Sequence, residues 1–100
     1  MLKKFKTYEL AINFYHACLK LKVPSYLRNQ LDRAASSIAL NIAEGDGRKY
    51  TNDRKHFFQI AYGSLRECKA ILELASTDKD VYCMADMLGA HLYRLITNAY

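Results

Sequence analysis

The sequence predicts an all-α fold, a four-helix bundle whose neighbouring helices run antiparallel. Three observations carry that expectation. Helix breakers are scarce, one proline and four glycines in 100 residues, and β-branched residues are few. Apolar residues recur every three or four positions, the period of a helix and not of a strand. The segments that interrupt this period are short, at Val23-Pro24, Gly45-Asp46-Gly47 and Ser76-Thr77-Asp78. They leave four helical stretches in up-down-up-down order, a single domain over residues 1–100.

The first helix is expected from Thr7 to Leu21, with Thr7 as N-cap and Glu9 in the first turn, where a carboxylate meets the positive end of the helix dipole. It carries two apolar stripes. One holds Tyr8, Ile12, Tyr15 and Leu19, the other Leu10, Phe14, Ala17 and Leu21, and only Asn13, His16 and Lys20 form a polar seam. Val23 stops this helix, because a residue before proline avoids the α region. Ser25 is expected to cap the second helix, which continues to Glu44, with Gly45 in the left-handed position beyond its end. Within it, Gln30, Arg33, Ser37, Asn41 and Glu44 form a polar stripe directly beside the apolar stripe Leu31, Ala34, Ile38 and Ile42. Pairable polar groups placed tight against a core stripe are expected to satisfy one another at an interface.

The third helix is expected from Thr51 or Asn52 to Ala75, with Phe57, Ala61, Ser64, Cys68, Leu72 and Ala75 as its core stripe. Ser64 then bonds the carbonyl one turn back. Gly63, unfavourable inside a helix, predicts close approach of another backbone. Folding the second and third helices back about a loop near Arg48 sets Arg33 level with Gly63, one turn from Glu67. An Arg33–Glu67 ion pair, partly shielded, is therefore expected. Asp78 or Asp80 caps the fourth helix. It too shows two stripes: Val81, Met84, Leu88, Leu92 and Leu95, then Tyr82, Ala85, Gly89, Tyr93, Ile96 and Tyr100. Two apolar faces on each of two helices exceed what one bundle buries, which predicts self-association through Leu10, Phe14, Tyr93, Ile96 and Tyr100.

Charge points to partners. The net charge is +5, and residues 1–22 hold five lysines against Glu9. Lys3, Lys4 and Lys6 precede or open the first helix. Arg48, Lys49, Arg54 and Lys55 cluster around the turn into the third. In an up-down bundle these groups share one end, a basic surface for phosphate backbones of RNA or DNA, with Tyr50 available to stack on an unpaired base. Nothing resembles a catalytic or metal constellation: His16, His56 and His91 fall on three helices, and no carboxylate pair has acid–base spacing. Gly45-Asp46-Gly47-Arg48-Lys49 follows a helix and lacks the spacing of a phosphate-binding loop. No enzyme activity, cofactor or metal is expected. Cys18, Cys68 and Cys83 lie apart among apolar residues and read as buried free thiols in a reducing cytoplasm. Neither a signal peptide nor a membrane-spanning stretch is expected.

Two motifs carry a resemblance. AASSIALNIAEGDGR, followed about ten residues later by FFQIAYGSLREC, resembles the bacterial 23S ribosomal RNA intervening-sequence proteins. The Tyr and Ala pattern of the first helix and the single Pro24 also fit. The resemblance covers nearly the whole chain, and it implies a small antiparallel bundle that assembles into a ring-shaped homopentamer with a role in RNA binding. A more distant likeness of fold is to the accessory protein of diversity-generating retroelements, a pentameric bundle that engages a reverse transcriptase. The resemblance thus also implies an alternative, a pure interaction scaffold such as an accessory subunit of a reverse transcriptase. Asn41, Glu44, Gly45, Gly63, Ser64 and Glu67 match the family motifs, and Arg33, Asn41, Glu44, Ser64 and Glu67 are read as a structural polar network.

Overall fold

A computed structural model describes residues 5–76 and 78–98. Four helices account for almost all of them: α1 (Lys6–Leu19), α2 (Ser25–Asp46), α3 (Thr51–Ala75) and α4 (Lys79–Asn98). They form a four-helix bundle in which each helix packs against the next in the chain and α4 packs against α1. The expected helix count and breaks hold. Lys3, Lys4 and Tyr100 lie outside the described residues.

The helix ends differ from expectation. Phe5, not Thr7, stands before α1, and no side chain caps it; Thr7 lies inside the helix and is buried. Phe5 instead anchors this end by an edge-on contact with Phe58 of α3, ring centroids 6.4 Å apart. α1 closes at Leu19, two residues early. Its end is held by Arg28 of α2, whose guanidinium donates to the carbonyls of Leu21 at 2.7 Å and Cys18 at 2.9 Å. Arg28 also donates to the Asp32 carboxylate at 2.6 Å, so one side chain holds two carbonyls at the end of α1 and is itself neutralised. Pro24 takes the cap position of α2, preset by its ring, and Ser25 is the first helical residue without a capping bond. At α4 the expectation holds, for the Asp78 carboxylate accepts the Asp80 N–H at 2.6 Å.

Gly45 has a different use from the one expected. α2 runs through it to Asp46, and Gly47 caps the helix with φ −82°. A Cβ on Gly45 would lie 2.7 Å from Phe58 Cε1 and 3.2 Å from Phe57 Cβ. The residue is glycine because α2 and α3 cross closely there. The left-handed backbone occurs at Ser76 after α3, φ 53°.

The core confirms α2 and shifts elsewhere. Leu31, Ala34, Ile38 and Ile42 are buried as expected, with Leu27, Ala35 and Ala39 beside them. In α3 the buried set is Phe58, Ala61, Leu65, Cys68, Ile71 and Leu72, so Phe57, Ser64 and Ala75 move to the flank. In α1 it is Thr7, Ala11, Phe14 and Cys18, so of the two expected stripes only Phe14 is in the buried line. Phe14 is fully buried and therefore belongs to the core, not to a free outer face. Ala85 of α4 is likewise fully buried. Leu10 and Ile96 are half-buried, while Tyr93 remains 59% exposed.

A candidate nucleic-acid interface at the second turn

The second turn joins Asp46 to Thr51, and most of the expected basic residues surround it. Its shape comes from below and from one side. Below, Gly45 lets Phe58 press against α2, and Phe5, just before α1, presses on Phe58. That contact brings Lys6 to this end of α3. Lys6 also lies near enough to α4 for its charge, after burial and the Arg94 charge, to help hold the exposed-edge His91 imidazole below its usual range.

From the side, Arg54 of α3 donates to the carbonyls of Arg48 and Lys49, both at 3.2 Å, and to Thr51 Oγ1 at 3.5 Å. It is a scaffold for the turn. Arg48 is partly committed as well. It pairs with Glu44 at 2.7 Å and lies 4.7 Å above the Phe57 ring. Lys49 and Lys6 are exposed and Lys55 is half-buried. Tyr50 is 65% exposed, and Lys49 Nζ stands 5.7 Å from its ring centre. Glu44, Asp46 and Asp53 lie on the same turn and temper its charge. Of the expected cations, Lys6, Lys49 and Lys55 can face a polyanion directly, Arg48 can do so by exchanging Glu44 for a phosphate, and Arg54 acts by holding the backbone that presents them.

The polar network assembles only in part. Asn41 donates its amide to the Ser37 carbonyl at 2.8 Å and to Ser37 Oγ at 3.0 Å. Ser37 Oγ and Ser64 Oγ share a hydrogen bond of 2.9 Å across the two helices. Ser64 is thus half-buried and bonds across to α2, not back along α3. Arg33 and Glu67 line the same polar groove of about 350 Å³, with Gln30, Ala34, Ser37 and Ser64. They make no ion pair, and both residues are exposed to water. Glu44 pairs along its own helix with Arg48. Gly63 meets no neighbour: beyond its own stretch of helix, no atom of the described residues lies within 4 Å of a Cβ placed on it. The sequence was silent about Arg28, whose only signal is a carboxylate one turn on, Asp32.

Of the three thiols, Cys18 and Cys68 are buried and Cys83 is exposed, contrary to expectation. Burial pushes the Cys18 thiol up to about 12 and raises Cys68 as well. Among the described residues, no cluster of three or more His, Cys, Asp or Glu side chains could hold a metal ion. Among the described residues, no helix is long and apolar enough to cross a membrane either.

Residues 3–97 match the model of a family described as 23S rRNA-intervening sequence protein. No curated protein and no solved structure matches the chain. With nearly the whole chain matched, the protein belongs to that family.

Proposed function

We propose, from that membership, that the chain is a non-enzymatic, self-associating bundle that binds nucleic acid, RNA ahead of DNA. The observation that carries this reading is the second turn: exposed Lys6 and Lys49 and half-buried Lys55 around a backbone held by Arg54. Its contacts run to phosphates, with little sequence preference. Tyr50, exposed beside Lys49, adds a stacking surface that favours single strands. An up-down run of the helices, suggested by turns of a few residues, sets Lys6 at this end too.

Self-association as a homopentameric ring repeats that basic end around an axis, and multiplies weak phosphate contacts. Exposed Tyr93 and Met87 of α4 support it, as do half-buried Leu10 and Ile96. So does an apolar hollow of about 250 Å³ between α1 and α2, lined by Tyr8, Ile12, Tyr15 and Leu40. The same exposed apolar side chains favour the second reading, a scaffold or reverse-transcriptase accessory subunit whose charge serves solubility. A cytoplasmic location fits Cys18 and Cys68, which are free thiols.

Fluorescence anisotropy with labelled single-stranded and duplex RNA and DNA tests the reading. Binding at about 10 µM protein or below, weakening steeply with salt and lost in Arg48→Glu plus Lys49→Glu, is the expected result. Absence of binding at low salt rejects it and leaves the scaffold reading.

A further inference from the structure

The groove between α2 and α3 holds an arginine and a carboxylate that line one cleft and do not pair. Its floor is internally satisfied, for Ser37 bonds Ser64 across the helices and accepts from Asn41. Its rim is not. Arg33 and Glu67 are exposed, one on each side. Beside Glu67, the stripe Ile60, Gly63, Glu67 and Leu74 recurs at helical spacing on α3 and is exposed throughout, Ile60 by 39% and Leu74 by 73%. Such a stripe is unusual for a solvated helix face. Gly63 weakens the helix with no packing reason inside the chain. Gly45 shows what a glycine looks like here when a neighbour does require it.

We propose that this groove is a self-pairing surface whose occupant is a second copy of the chain. The charge pattern selects that occupant. A two-fold axis along the groove sets α2 of one copy against α3 of the other, so Arg33 meets the partner's Glu67 and Glu67 meets the partner's Arg33. Both ion pairs form at once from one groove, a self-complementarity that an unrelated partner would have to imitate. The bare backbone at Gly63 admits the facing helix closely, and Ile60 and Leu74 supply apolar contact on either side. This contact is isologous. It is separate from the α1 and α4 edges of the proposed ring and does not depend on the ring or on nucleic acid.

Sedimentation velocity tests it with charge reversals. Wild-type protein is expected to show a paired species that dissociates on dilution. Arg33→Glu alone and Glu67→Arg alone each place like charges across the axis, and pairing weakens by about tenfold or more. An equimolar mixture of the two variants restores it, because each copy then supplies what the other lacks. Gly63→Lys, a better helix former at an exposed site, keeps the fold, read by circular dichroism, and blocks the approach. Variants that pair as wild type does, a mixture that stays apart, or a wild-type chain with no paired species at about 100 µM overturns the proposal. The ring is read separately through Leu10→Lys, which leaves groove pairing intact.

Discussion

The turn between α1 and α2 and the turn between α2 and α3 are each held by an arginine at the fourth residue of the helix that follows. Arg28 donates to the carbonyls of Cys18 and Leu21, and Arg54 to those of Arg48 and Lys49. Both arginines are half-buried, and the first carries Asp32 as a carboxylate partner one turn on. The second stands among Arg48, Lys49 and Lys55, and the shape of its turn rests on Gly45 and Phe58 beneath. One device serves two ends. At the first turn its charge is neutralised and the arrangement stabilises the end of a helix. At the second it holds a backbone that displays positive charge. Phosphate recognition needs the latter, a rigid loop with cations left over.

The largest expected effect lies beneath the second turn. Gly45→Val forces atoms into the space of the Phe58 ring, which is buried against both α2 and Phe5, and should cost about 3 kcal/mol in denaturant unfolding. If the variant is as stable as wild type, the turn does not depend on that close crossing. Next is the first turn. Arg28→Ala removes bonds to two carbonyls and a carboxylate and should cost about 2 kcal/mol. Arg54→Ala should cost less than about 1 kcal/mol because its carbonyl partners can turn to water. Equal losses from the two would mean that the two turns are held alike.

A pH effect sharpens the first turn further. Cys18 has an ordinary value of 9.0 and is raised to about 12 in the fold, first by burial. Its folded value exceeds the unfolded one, so its contribution is whole below pH 9 and is lost as pH rises toward 12. Over that window stability should fall by about 1.4 kcal/mol per pH unit for this thiol. Cys68 shifts in the same direction. Iodoacetamide should label exposed Cys83 quickly and the other two only on unfolding. Rapid labelling of Cys18 at pH 8 contradicts a sealed first turn.

Much of this was legible in the amino-acid order, for reasons that differ by element. The apolar stripe of α2 could be read directly because a polar stripe flanks it and fixes its phase. In α1 apolar residues run almost all the way round, so the neighbours decide which line faces inward, and they selected Thr7, Ala11, Phe14 and Cys18. In α3 Phe57 and Phe58 compete for the core, and Phe58 enters because Gly45 makes room for it. Gly45 itself fits either a helix end or a close crossing, and only the facing helix separates these uses. Loop symmetry sets Arg33 and Glu67 level, and they do share a groove. Their failure to pair depends on side-chain directions that helical spacing does not determine. The basic turn was legible as composition, whereas the division of labour between Arg54 and Lys49 requires the folded backbone.

On the proposed function, the second turn, and not basic charge in general, is expected to bind nucleic acid. Two double variants test it at equal cost in charge: Lys49→Glu with Lys55→Glu at the second turn, and Lys20→Glu with Lys22→Glu at the first. Each takes the net charge from +5 to +1, a change of four. Anisotropy titrations of one labelled single-stranded RNA at low salt should show binding weakened by at least about tenfold for the second-turn variant and by less than about threefold for the first-turn variant. Equal weakening of both would contradict the claim.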